Sequence, residues 1–311
     1  MGSDPLSHYS ETATRSAGVV IGSYSTSFGL ACRLLPVNER RDIANIYALV
    51  RVADEVVDGA AKAAGLEPLA VCAQLDGLEQ ETEQALRGGY STNMLVHAFA
   101  LTARRTGIDA SLTRPFFAAM RTDLLVTTHS ADTLEDYIYG SAEVVGLMCL
   151  KVFQAMEGAP AGHDEELVLA ARSLGAAFQK VNFLRDLGAD SAELGRIYFP
   201  NLDPQAFNDQ HKQALLSDIR HDLGVARSGL VYLAGPARRA VRLAHDLFLA
   251  LVDRLETIPA TDLVAKRVRV PGHQKARIAI MACVGNRHMH VKHHGPDQLP
   301  ATPDLTSGVA P

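Results

Sequence analysis

The chain has 311 residues, 47% of them apolar and 21% charged, the balance of a globular protein long enough for one large domain. Its formal net charge of −5 leaves no global basic field of the kind that draws proteins to nucleic acid. Cys32, Cys72, Cys149 and Cys283 form no CxxC pair, which argues for buried thiols in a reducing compartment and against a disulfide framework or a zinc site.

The N-terminal stretch MGSDPLSHYSETATRSAGVV has no basic segment followed by an apolar one, so it does not read as a secretory signal. No apolar run reaches the roughly 18–20 residues of a membrane span, and the expectation is a cytoplasmic protein, with peripheral membrane contact left open. Helical periodicity dominates and strand-like alternation is scarce. It predicts helices over 18–34, 39–58, 68–87, 91–106, 111–127, 133–156, 164–189, 208–233, 236–256 and 273–284. Asn38 is the expected N-cap of the second, and Asp132-Thr133 with Asp136 a capping arrangement for the sixth. Residues 1–17 are expected to be flexible, 18–285 to form one helical domain, and the His- and Pro-containing tail 286–311 to be disordered.

Two helices carry an acidic stripe where a core face should be. In IANIYALVRVADEVVD, the residues Ile43, Tyr47, Val50, Asp54 and Asp58 share one face, with Arg51 on its flank. In GAAFQKVNFLRDLGAD, Gln179, Asn182, Asp186 and Asp190 recur at i, i+3, i+7 and i+11. Buried unpaired charge costs several kcal/mol, so four such aspartates facing one another require a cation between them. Hard oxygen ligands at this spacing suit Mg²⁺, which bridges carboxylates to substrate phosphates. Arg51, Arg185 and Arg196 are placed to take phosphate oxygens. A lone DxxxD is usually a solvated face; two of them, each on an apolar face beside an arginine, are not.

These residues resemble the squalene/phytoene synthase family. Ser25-Thr-Ser27-Phe28 resembles its S-x-S-F, and Tyr47 through Asp58 its YAxxRxxDDxxD motif. Tyr137-Ile-Tyr139 through Gly146 resembles YxYxxAgxVG, and Gln179 through Asp190 with Gly195-Arg196-Ile-Tyr198-Phe-Pro200 resembles QxxNxLRDxxED…GRxYxP. Within that match Glu55, Ala189, Glu143 and Lys180 depart from the family pattern. The general run of the sequence is closest to bacterial phytoene synthases.

The resemblance implies an all-α, single-domain isoprenoid-synthase fold around a central apolar cavity. It implies a prenyltransferase of carotenoid biosynthesis: Mg²⁺-dependent head-to-head condensation of two geranylgeranyl diphosphates, through a cyclopropylcarbinyl diphosphate, to phytoene. Mn²⁺ is a substitute ion and NADPH is not expected. Catalysis is expected of Asp54, Asp58, Asp186, Asp190, Tyr139 and Arg51, and metal binding of Asp54, Asp58, Asn182, Asp186 and Asp190. The implied substrate contacts are Ser25, Ser27, Tyr47, Arg51, Gln179, Asn182, Arg185, Arg196 and Tyr198. Phe28 and Cys32, one turn apart, are expected to line the tail channel. The competing readings are a farnesyl-using squalene or dehydrosqualene synthase and, from another class, a non-catalytic relative acting as an assembly or binding protein.

Overall fold

Asp4 accepts a hydrogen bond from the Ser7 amide (3.2 Å) and Pro5 takes the first helical position, so the chain enters a helix almost at once. In this computed structural model the described residues are 4–126, 128–189, 198–199, 206–265, 271–272, 274–275 and 277–279. Asp190, Arg196, Cys283, the 286–311 tail and much of the predicted 273–284 helix lie outside them.

The first helix, α1 (Pro5–Tyr24), corrects the expectation of a flexible N-terminus: Ala13, Ala17 and Ile21 repeat every four residues and are buried, and α1 packs on the helices Val37–Asp58 and Met94–Thr106. Ser25 then breaks the helix predicted over 18–34, adopting an extended conformation and accepting from the Phe28 amide (3.1 Å) to start α2 (Thr26–Cys32). Next come α3 (Val37–Asp58), α4 (Ala60–Ala63), α5 (Pro68–Gly88), α6 (Met94–Thr106), α7 (Ala110–Leu125) and α8 (Ala131–Ile138). Pro36, not Asn38, occupies the N-cap of α3 and gives no side-chain bond, whereas Ser130 and Thr133 form the capping box of α8. A π-helical turn (Tyr139–Glu143) links α8 to α9 (Val144–Gln154). The chain continues through α10 (Asp164–Ala189), α11 (Asp209–Gly229), a 3₁₀ turn (Leu230–Tyr232), α12 (Gly235–Thr257) and α13 (Ala260–Ala265).

The long α10 packs on α9, α11, α12 and the π turn. Glycines allow its closest approaches. A Cβ on Gly146 would come 2.5 Å from the Ala171 carbonyl oxygen, and one on Gly175 would come 2.6 Å from that of Ala142. Backbone therefore lies on backbone along this seam, and the helices around it are held in fixed register. Among the described residues the regular structure is helical, and no helix is long and apolar enough to cross a membrane.

Candidate active site

Helices α2, α3, α9, α10, α11 and α12 enclose a cavity of about 950 Å³. Along three stretches of its wall the lining changes from polar to apolar. Along α10 the lining residues run Asp186, Arg185, Asn182 and Gln179, then Phe178, Gly175, Leu174, Ala171 and Leu167. Along α3 Asp58, Asp54 and Arg51 give way to Val50, Ile46 and Ile43. Across the π turn Tyr137 and Ser141 precede Val145, Cys149 and Phe153. One end is therefore an acidic rim and the rest a greasy tunnel. From Asp186 to Leu167 is 19 residues, about 28 Å of depth at roughly 1.5 Å per residue.

The fold brings Asp54, Asp58, Asn182, Asp186, Gln179, Arg51, Arg185, Tyr47, Ser25, Ser27 and Tyr198 to this one cavity. Burial raises the Asp54 carboxyl to about 7; Arg51 opposes the shift, while Asp58, Asp123 and Glu55 add to it. Its exposed surface faces the cavity rather than open solvent. Arg51 ion-pairs with Glu55, lies 3.9 Å from Asp54 and stacks over the Tyr24 ring at 4.4 Å. Glu55, the departure in the first motif, thus holds the arginine and also accepts from the Ala60 amide (3.1 Å). Arg185 makes a two-pronged pair with Asp186, at 3.0 and 2.5 Å. Ser25 serves as helix cap and cavity lining together.

Tyr139 is not brought to the cavity. It lies under the Arg172 guanidinium (5.3 Å from ring centroid), which pairs with Glu143 at 2.6 Å. Residues two apart on a helix point nearly opposite ways, and it is Tyr137 that reaches the lining. Tyr137, Phe183 and Tyr198 form a near-parallel aromatic wall, with centroids 4.0–5.9 Å apart, and His129 stacks behind it, 6.0 Å from Tyr198. Asp123 of α7, absent from the sequence-based set, lines the cavity beside Asp54 and is 8% exposed. The available signal was its spacing: Phe116, Met120 and Asp123 follow one another by 4 and 3 on the buried face of α7.

The donor set fits a hydrated divalent cation. Among the described residues no three His, Cys, Asp or Glu side chains are grouped tightly enough to hold an ion alone. Mg²⁺ does not ask for that: it keeps several waters and takes one or two carboxylates plus substrate phosphates. Burial chiefly raises the Asp54 carboxyl, with Asp58, Asp123 and Glu55 adding to it against Arg51, and a cation at the rim would relieve both effects.

An acidic rim over a deep apolar tunnel, built wholly from helices, is the helical isoprenoid-synthase fold. A solved dehydrosqualene synthase superposes with a TM-score of 0.74 over 90% of this chain and 98% of its own, at 20% identity. The squalene/phytoene synthase family model matches residues 21–274, and the chain belongs to that family. It is 33% identical over 280 residues to a phytoene synthase of Arthrospira platensis, covering 82% of this chain and 87% of that one. It is 35% identical over 202 residues to the chloroplastic phytoene synthase 1 of Arabidopsis thaliana, covering 65% of this chain. The match spans 44% of the Arabidopsis protein's length.

Proposed function

We propose that the protein is a phytoene synthase, condensing two geranylgeranyl diphosphates head to head. The observation that carries this reading is the single acidic rim at one end of a cavity about 28 Å deep, apolar from Phe178 inward, which suits a long prenyl tail. The relatives named phytoene synthase support it.

Asp54, Asp58, Asn182 and Asp186 would hold Mg²⁺ or Mn²⁺, with Asp190 completing the set; the chemistry supplied there is neutralisation of the leaving diphosphate. Arg51 and Arg185, each parked on a neighbouring carboxylate, are within the rim to take diphosphate oxygens in exchange. In the first step the C–O bond of one substrate breaks, the double bond of the second attacks the allylic carbon, and a proton leaves as the cyclopropane closes. In the second step the cyclopropylcarbinyl diphosphate ionises, rearranges and loses a proton to give the hydrocarbon. The aromatic wall of Tyr137, Phe183 and Tyr198 offers π faces to the positive charge. The apolar lining excludes the water that would quench it. The hydrocarbon product then partitions into lipid, which makes peripheral contact with a membrane part of this reading.

The test is direct. Purified protein is given Mg²⁺ with farnesyl or geranylgeranyl diphosphate, with and without NADPH, and the hydrocarbon is identified. Phytoene without NADPH is expected, and Asp54→Ala or Asp186→Ala should abolish it while leaving helical content intact. Preferential use of farnesyl diphosphate establishes the second reading, a squalene or dehydrosqualene synthase, which the fold match to a dehydrosqualene synthase favours.

A further inference from the structure

We propose that the turn at 229–233 is the floor of the tail channel and sets the longest prenyl chain the cavity accepts. This rests on the function proposed above. The wall helices end together at this place: α9 stops one residue past Phe153, α10 begins three residues before Leu167, and α11 closes at Gly229. Phe153, Leu167, Leu230 and Leu233 line the cavity there and are all buried, the apolar terminus of a wall whose other end is acidic.

The floor is fixed as well as closed. Gly229 sits directly on Ala170, where a Cβ would overlap the alanine methyl and stand 3.4 Å from the Glu166 carbonyl oxygen. The chain therefore crosses α10 at backbone contact and turns through Leu230–Tyr232. The Arg238 guanidinium donates to the carbonyls of Val231 (2.6 Å) and Leu233 (2.9 Å), and His163 stacks on Tyr232 at 4.0 Å between centroids. A turn pinned on both sides cannot retreat before a longer tail, so the two leucines it projects act as a stop. A hydrophobic stop of this kind discriminates by about 10- to 200-fold per methylene.

The experiment is a one-tube competition between geranylgeranyl diphosphate and its next longer homologue, geranylfarnesyl diphosphate. The consumption ratio is read, because it does not depend on the fraction of enzyme that is folded. Leu230→Ala and Leu233→Ala are each expected to move the ratio toward the longer substrate by about tenfold or more. Leu233→Phe, competed between farnesyl and geranylgeranyl diphosphate, is expected to move it toward the shorter. Wild-type turnover with an unmoved ratio in both alanine variants overturns the floor and leaves the proposed function standing. A wild-type enzyme that consumes neither diphosphate overturns both.

Discussion

The backbone of Gly175 on α10 faces the Ala142 carbonyl so closely that a Cβ would stand 2.6 Å from its oxygen and 3.0 Å from the Glu143 Cα. Both neighbours are backbone atoms of the π turn, so neither can swing aside. This contact aligns the helix carrying Gln179, Asn182 and Asp186 with the element carrying Tyr137 and Ser141. Gly175→Ala should destabilise by about 1–3 kcal/mol, the cost of overpacking a rigid site. At 2–4 °C per kcal/mol that is roughly a 2–12 °C fall in Tm. Gly224→Ala supplies the opposite sign: it is an exposed helical glycine with nothing within 4 Å of its Cβ, and it should stabilise by about 0.5–1 kcal/mol. Thermal melts of the two variants check the pair, and equal effects would refute the steric account.

Asp54 gives a pH dependence whose sign can be worked out. Its folded carboxyl lies at about 7, raised by burial and by Asp58 and Asp123, while an unfolded carboxyl titrates near 3.9. The folded state binds the proton more tightly, so ionising Asp54 weighs against the fold. That penalty is absent below pH ~4, grows toward pH ~7 and is complete above it. A divalent ion at the rim relieves it. Mg²⁺ should therefore raise Tm more at pH 8 than at pH 5, and Asp54→Asn should shrink the difference and raise the metal-free Tm at pH 8. Asp123→Asn should act in the same direction more weakly. Equal Mg²⁺ effects on wild-type Tm at both pH values would count against a cation-binding rim.

Much of this site was legible because helical spacing alone fixes a face. Tyr47, Asp54 and Asp58 could only emerge together from α3, as could Gln179, Asn182 and Asp186 from α10, and the cavity receives all six. Asp123 escaped because one carboxylate on an amphipathic helix is ordinarily solvated, and nothing local marks it as facing Asp54. Tyr139 was preferred to Tyr137 because both tyrosines belong to the same motif, and only the packed helices decide which one faces inward. The N-terminal helix was missed because its inner face is built of Ala13 and Ala17, whose small side chains leave a weak apolar signal in a Ser- and Thr-rich stretch.

Lys180 stands beside the acidic stripe but faces away from it. Its ammonium lies 2.6 Å from Asp218 and 2.8 Å from Asp222, one turn apart on α11. Burial works against the charged lysine, but the two aspartates outweigh it and hold its pKa above the ordinary value. The stabilisation is fully present below pH ~10.4 and is lost above the raised value. Lys180→Met leaves two like charges facing each other without a counter-ion and should cost up to about 3 kcal/mol. Adding Asp222→Asn to it should recover part of the loss. Urea unfolding of the single and double variants measures both, and additive losses would show that the three groups do not act together.

Cys32 lies one turn beyond Phe28 on α2, and both line the tunnel. Above it Phe28, Phe178 and Phe248 pack with centroids 3.7–5.9 Å apart, already narrowing the passage. Burial pushes the Cys32 thiol up to about 11, so at neutral pH it is a small apolar side chain and not a nucleophile. Its contribution is the space it leaves. Cys32→Phe would fill that space, and at about 10- to 200-fold per obstructed methylene it should shift preference from geranylgeranyl toward farnesyl diphosphate by at least tenfold. Cys32→Ala, smaller still, should leave preference as it is in the wild type. Unlike the floor leucines, Cys32 lies part-way along the channel, so Cys32→Phe should also weaken use of the longer substrate in a Leu233→Ala background. The same one-tube competition reads all of these, and an unchanged farnesyl-to-geranylgeranyl ratio in Cys32→Phe would remove this residue from the determinants of chain length.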